Sequence, residues 1–326
     1  MEYACKICHS KSSEKVTTYK HIWYSCNDCG NTFSFKRKNY PLSSFIFSFP
    51  IKLLNKIAFN KLKFLEIDYL KNQEAIDDPS SFYSGYADLL KNDDPSLNKD
   101  YDGDYNKLSA RLAEEDIKFE NKNVLMISGG PGIVANQISK VAKSVLVTEF
   151  SDVTCKAMTE HLGLKTVKYD INNDELNKVV KNKTFDIIIA ISVVGFCLDL
   201  EKFSLSLNKV LEKNNGIIYI NHGSPTLGQM LFYQFDEYTP FVMQQKQTFT
   251  RILCENANLS KIQEYKHEYN LYLFRVLNSG WKSIIVYSFR TIFWIRYGLV
   301  LLLPNKNINR QLVGKGFTYI FRRNKE

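Results

Sequence analysis

The sequence predicts a doubly wound α/β fold with a mostly parallel sheet, preceded by a four-cysteine metal-binding ribbon. Three observations predict it. Between residues 106 and 225, short apolar runs without polar alternation recur, separated by helix-patterned segments. Strands of that kind are buried on both faces, as in a parallel sheet. The first run ends in the glycine cluster Ser128-Gly129-Gly130-Pro131-Gly132, and two Cys-x-x-Cys pairs stand near the start of the chain. The 326 residues, 44% of them hydrophobic, suffice for one sizeable domain and a smaller appendage.

Composition divides the chain into four stretches. Residues 1–38 hold the paired cysteines and form the expected ribbon. Residues 39–105 are an aromatic and basic connecting region broken by Pro41, Pro50, Pro79 and Pro95. Residues 106–225 form the Rossmann-like core, and residues 226–326 a C-terminal stretch expected to shape a substrate pocket and complete the sheet. Within the core, Asn106 to Glu120 reads as an amphipathic helix with Leu108, Leu112 and Ile117 on one side. Val124-Leu125-Met126-Ile127 is the first strand, and Ile133 to Val141 the helix after the glycine turn. Val145 to Glu149, Val167 to Asp170, Phe185 to Ile191 and Gly216 to Ile220 are four further strands. Asp152 to Leu162 and Leu198 to Leu211 are the helices between them, and Gly316 to Arg323 reads as a closing strand.

Cys5-Lys6-Ile7-Cys8 and Cys26-Asn27-Asp28-Cys29 are separated by seventeen residues. That spacing lets four thiolates close a tetrahedron around structural Zn2+, leaving no open position for water or substrate. A disulfide framework is the alternative. The opening residues do not read as a secretory signal, so a reducing, cytoplasmic setting and a metal are expected. His9, next to Cys8, is read as a surface residue because the four cysteines complete the ligand shell.

In an open α/β sheet a ligand lies beyond the carboxyl ends of the strands, where strand order reverses. Gly129, Gly130 and Gly132 lie there, free of side chains that would obstruct a ligand. Glu149 ends the second strand seventeen residues after Gly132, where a carboxylate can accept both hydroxyls of a ribose. Asp170, at the end of the third strand, can accept from an adenine amino group, with Ile171 flanking the ring. Gly-x-Gly-x-x-Gly does not occur, which argues against a nicotinamide dinucleotide.

These residues resemble the class I S-adenosylmethionine-dependent methyltransferases. Val124 to Gly132 is similar to their first motif, Glu149 and Asp170 to the acidic residues of the second and third, and Phe185-Asp186-Ile187-Ile188-Ile189-Ala190 to the fourth-strand motif. The resemblance covers roughly residues 106–225. The ribbon extends it to a subgroup that methylates sugars, glycans and other small metabolites. It implies S-adenosylmethionine as cofactor, held by Ser128, Gly129, Gly130, Gly132, Glu149, Phe150, Asp170, Ile171 and Ile191. Tyr86, in the aromatic segment Phe82-Tyr83-Ser84-Gly85-Tyr86, is implied to cover it. The family usually has Asp or Glu where this chain has Met126, and Gly where it has Ser128. Sugar methyltransferases of the subgroup carry a His-containing segment after the fifth strand, which Phe235-Asp236-Glu237-Tyr238-Thr239-Pro240 partly echoes.

Methyl transfer from a sulfonium needs proximity and orientation first, and a base only if the nucleophile must lose a proton. His222, placed just after the fifth strand, is the leading candidate for that base; Asp236 and Tyr238 follow. A formal charge of +9, from 43 Lys and Arg against 34 Asp and Glu, suits anionic partners. The expected acceptor is a small molecule, a sugar or nucleotide-linked sugar. The rivals are an RNA methyltransferase using the ribbon to dock on nucleic acid, and a non-catalytic binding protein. Ser283 to Leu303 is apolar but carries Arg290 and Arg296, which cost about 5 to 7 kcal/mol in a bilayer. Packing on the domain or a sister subunit, contact with the inner membrane face, and a span are the readings, in that order.

Overall fold

The computed structural model describes residues 4–5, 7–17, 21–36, 87–88, 90–91, 95–226, 242–269, 308 and 314–325. The described residues fall into two compact units. One holds the residues up to 36 together with 222–226, 242–249, 266–269, 308 and 314–317; the other holds 87–221, 250–265 and 318–325.

The ribbon is a four-stranded antiparallel sheet. Its strands are β1 (Ser13–Thr17), β2 (His21–Cys26), β3 (Thr32–Lys36) and a two-residue β9 (Val242–Met243), in the order β1-β2-β3-β9. Ser13 pairs with Cys26, His21 with Lys36, and Phe33 with Val242. Trp23 and Phe33 fill the ribbon's small core, and burial does not alternate strictly, since Ser25 and Cys26 on β2 and Thr32 and Ser34 on β3 are buried too. The last strand therefore comes from more than two hundred positions further along the chain than the first three.

The second sheet has seven strands: β4 (Asn123–Ile127), β5 (Ser144–Glu149), β6 (Lys165–Lys168), β7 (Ile187–Ala190), β8 (Ile217–Ser224), β10 (Leu259–Tyr269) and β11 (Gly314–Arg323), in the order β10-β11-β8-β7-β4-β5-β6. From β4 the chain proceeds through β5 and β6 on one side, then returns to place β7 and β8 on the other. The pairs β4–β5, β4–β7, β5–β6 and β7–β8 are parallel. Arg323 at the end of β11 donates its backbone N–H to Gly216, just before β8, and Asn324 donates to Asn258, just before β10. Strand β11 therefore runs against both neighbours. This is the doubly wound, mostly parallel architecture expected from the sequence, and the strand reversal lies at β4.

Helices α1 (Pro95–Ala113), α2 (Ile133–Ser139), α3 (Asp152–Leu162), α4 (Leu176–Val179), α5 (Leu200–Val210) and α6 (Lys246–Asn256) connect these strands. Helix α3 has the predicted bounds because both ends are chemically marked. The Ser151 hydroxyl accepts from the Thr154 N–H at 3.3 Å, and Gly163 at φ 65° ends the helix. Helix α1 starts earlier and stops earlier than the amphipathic pattern predicts. Asp116 takes φ 56°, with its N–H on the Ala113 carbonyl and the Ile117 N–H on the Leu112 carbonyl. That is a helix stop built on a left-handed Asp where glycine is usual, so composition does not announce it. The expected face of Leu108, Leu112 and Ile117 is buried nonetheless. At the other end of the core, buried Arg323 donates to the carbonyls of Asn208 (2.8 Å) and Leu211 (3.2 Å), satisfying the last turn of α5.

All four residues of β7 are buried, and Ile188 is fully so. Replacing Ile188 with Ala removes three carbons from a site walled by strands on both sides. Chemical unfolding should show a loss of about 2 to 5 kcal/mol.

Candidate nucleoside cleft and metal centre

The parallel register lines up the strand ends. Ile127 pairs with Thr148 on one side and Ala190 on the other, and Glu149 pairs with Lys168. The loops leaving β4, β5, β6 and β7 consequently emerge at one edge of the sheet, around the strand reversal.

The turn after β4 is tightly built. Ser128, Gly130 and Gly132 have φ of 53°, 56° and 80°; Ser128 thus adopts the left-handed backbone at a position where the resembled family has glycine. Gly129 and Gly132 are required for a different reason than ligand approach alone. A Cβ on Gly129 would stand 2.4 Å from Val147 Cγ1, and one on Gly132 2.6 Å from Met158 Sδ. Both glycines let the turn seat against β5 and α3. The Gly129 N–H donates to the Thr148 carbonyl (3.2 Å) and the Ser128 N–H to the Thr148 hydroxyl (3.4 Å).

Glu149 is where the expected site converges. Its Oε2 accepts from the Gly130 N–H at 3.2 Å and its Oε1 from the Phe150 N–H at 2.8 Å. The side chain is 2% exposed, and burial pushes its carboxyl up from 4.5 to about 7, against the backbone donors of Phe150, Ser151 and Gly130. Tyr169, on the next strand's loop, donates its N–H to the Glu149 carbonyl at 2.9 Å. Asp170 follows, two residues past β6 and partly exposed. Its Oδ1 accepts from the Asn172 N–H (2.9 Å) and its Oδ2 from Asn173 Nδ2 (2.7 Å). Ile171 and Ile191 are also partly exposed at this edge. Met126, where the family has an acid, is a buried core residue, 4% exposed.

Three residues that titration chemistry does not single out complete the rim. Thr148 anchors the glycine turn. Asn172 reaches the loop after β7, donating Nδ2 to the Phe196 carbonyl (3.0 Å) and accepting at Oδ1 from the Leu198 N–H (2.8 Å). Asn221 Oδ1 accepts from the N–H of Ser192, itself at φ 58°. The sequence signal for Asn172 is the polar run Asn172-Asn173-Asp174 in the loop after β6, where side chains bond the local backbone.

The position expected for His222 is corrected. Strand β8 continues through Ser224, so His222 is a strand residue and not part of a loop. It is 6% exposed, stacked on Phe249 at 4.1 Å and 8° between planes, with Phe317 at 5.7 Å. Strand β8 runs four residues beyond Ile220, its last partner of β7, and has β11 on its other side. Tyr86, Asp236, Tyr238 and the 283–303 segment lie outside the described residues. Among the described residues no helix is long and apolar enough to cross a membrane.

In the ribbon, the sulfurs of Cys5, Cys8, Cys26 and Cys29 all lie within 4.8 Å of one another, with Cys5–Cys29 and Cys8–Cys26 at 3.5 Å. Sulfurs about 2.3 Å from a tetrahedral zinc stand roughly 3.8 Å apart, so the cluster fits that ion. All four are free thiols, and separations of 3.5 Å are far beyond a disulfide bond of about 2.05 Å. The knuckles match: His9 donates its N–H to the Cys5 carbonyl and Gly30 its N–H to the Cys26 carbonyl, at φ 57° and 71°. Gly30 also leaves room for Gln245, and Thr248 Oγ1 donates to the Cys29 carbonyl at 2.6 Å. Exposed His9 takes no part in the cluster.

A doubly wound core with a glycine turn, an acid at the next strand end and a second acid beyond the third makes the fold Rossmann-like. No protein-family model and no curated protein matches the chain. Among solved structures, a protein from Galdieria sulphuraria assigned as a sarcosine dimethylglycine methyltransferase is similar over 67% of this chain and 84% of its own, at 13% identity and TM-score 0.48. The N-methyltransferase NodS from Bradyrhizobium japonicum, in complex with S-adenosylhomocysteine, is similar over 74% and 98%, at 13% and 0.43. The [4+2]-cyclase SpnF is similar over 68% and 81%, at 10% and 0.44.

Two outcomes follow from this geometry. Metal analysis of the purified protein should find about one zinc per chain, and Cys26→Ser should abolish it and raise amide exchange across Ser13–Lys36. A carboxyl that holds its proton more tightly folded (about 7) than unfolded (about 4.5) contributes stability that is full below pH 4.5 and lost as pH rises through 7. Unfolding titrations should therefore show wild type losing on the order of 3 kcal/mol over that interval relative to Glu149→Gln.

Proposed function

We propose that the cleft binds S-adenosylmethionine and that the protein transfers its methyl group to a small-molecule acceptor, a sugar or nucleotide-linked sugar of glycan biosynthesis. The observation that carries the reading is the Glu149 carboxylate held 3.2 Å from the Gly130 N–H. That contact joins the glycine turn of one strand to an acid on the next at the strand reversal. Glu149 accepts from the backbone N–H groups of Gly130 and Phe150, with that of Ser151 beside them, and a carboxylate has about four acceptor directions, which leaves capacity for ribose hydroxyls. Asp170 takes the adenine amino group, Phe150, Ile171 and Ile191 supply apolar contact, and Ser128, Gly129, Gly130 and Gly132 form the turn around the methionine end. Tyr86 is the proposed cover. The bound cofactor supplies the electrophilic methyl; the chain's own residues supply orientation and exclusion of water. His222, Asp236 and Tyr238 are the proposed proton acceptors. The ribbon's four thiolates are proposed to hold zinc in a structural role.

The reading is tested by calorimetry and labelled transfer. S-adenosylmethionine should bind with a Kd below about 1 mM, and Glu149→Gln should weaken it by about tenfold or more. Because ribose hydroxyls donate to the ionised carboxylate, affinity should rise about tenfold per pH unit up to the Glu149 value of about 7 and level off above it. A labelled methyl incubated with fractionated extract should enter glycan or metabolite fractions, and the same assay on His222→Ala, Asp236→Ala and Tyr238→Phe identifies any base. Label in RNA would overturn the acceptor class. No binding at millimolar cofactor would overturn the enzyme.

A further inference from the structure

We infer that Asn172 is a positioning residue for base recognition: it holds the Asp170 carboxylate and the loop after β7 in one arrangement, so that the cleft selects adenine. The inference rests on the nucleoside reading of the cleft and adds a residue to it.

Every polar group of Asn172 is engaged. Its N–H donates to Asp170 Oδ1 (2.9 Å), its Oδ1 accepts from the Leu198 N–H (2.8 Å), its Nδ2 donates to the Phe196 carbonyl (3.0 Å), and its carbonyl accepts from Lys202 Nζ (3.3 Å). The partners lie 24 to 30 residues away, apart from Asp170 itself. They belong to the turn Val194–Phe196 and the start of α5. In the sheet β6 and β7 are not neighbours, since β4 and β5 stand between them. Three interstrand steps amount to about 14 Å, yet the loops after β6 and β7 meet at Asn172. Asn172 therefore bridges across the ends of the two strands that carry the glycine turn and Glu149.

The bridge also fixes which way Asp170 faces. Asn172 and Asn173 each occupy one of its oxygens, and a carboxylate oxygen accepts up to two donors. What remains is one acceptor direction per oxygen, in a carboxylate that does not rotate freely. An exocyclic amino group meets that acceptor; a carbonyl at the same place, as in hypoxanthine, meets like polarity. Without the side-chain tie to the loop after β7, the Asn172 N–H that holds Asp170 is no longer fixed in place, and the discrimination weakens with it.

The test compares S-adenosylhomocysteine with S-inosylhomocysteine by calorimetry on wild type, Asn172→Ala and Asn208→Ala. Asn208 donates Nδ2 to the Asn256 carbonyl, and its variant controls for general loosening of the core. Wild type should prefer the adenine compound by about tenfold or more. Asn172→Ala should narrow that ratio at least threefold, while Asn208→Ala lowers the thermal midpoint and keeps it. If Asn172→Ala weakens both ligands equally and keeps the ratio, the positioning role is overturned and the nucleoside reading stands. A wild type that binds both ligands equally also overturns the positioning role. If wild type binds neither ligand, both readings fall.

Discussion

Strand β4 carries the constraint on which the core depends. Val124 to Ile127 are no more than 4% exposed and are paired in parallel on both edges. A strand so placed has its carboxyl end open only where the crossovers on its two sides diverge, and that divergence makes the crevice of a doubly wound sheet. Met126 illustrates the priority. It serves the interior, so the cleft receives its carboxylates from the neighbouring strand ends at Glu149 and Asp170.

Around that crevice the loops are tied by short polar side chains and backbone groups, with little long-range charge. Gly130 and Tyr169 bond Glu149, Asp170 bonds its own loop, and Asn172 spans to the loop after β7. Neutral donors and acceptors of fixed geometry set the distances between loops without the desolvation cost of buried ion pairs. Glu149 is the exception. Its burial raises the carboxyl to about 7, so near neutrality a ligand that donates to it binds the ionised form and expels the proton.

Much of the core was legible because its signals are local. Ser151 and Gly163 mark both ends of a helix, and the Val, Ile and Leu runs mark strands whose register then forces Glu149 to the sheet edge. Asp116 hid a helix stop because it adopts a backbone usually reserved for glycine. Strand β10 was not legible: Leu259, Ile262, Tyr265 and Tyr269 recur at three- and four-residue steps, a helical rhythm, and the strand holds because it is an edge strand paired to β11. Asn172 and Asn221 escaped for another reason. Their partners are distant in sequence, so only the folded chain defines their roles. The cysteine spacing announced its metal cluster, but nothing local announced that Val242 and Met243 complete the ribbon's sheet.

That late strand has a consequence for biosynthesis. A ribosome releases residues in order, and β1 to β3 emerge long before β9, with all of β4 to β8 between them. The cysteine knuckles can capture their ion early, while the edge of β3 waits for a partner and stays open to mispairing. The sheet of the ribbon is thus finished only after β9 has been made, long after the knuckles that bracket its metal site.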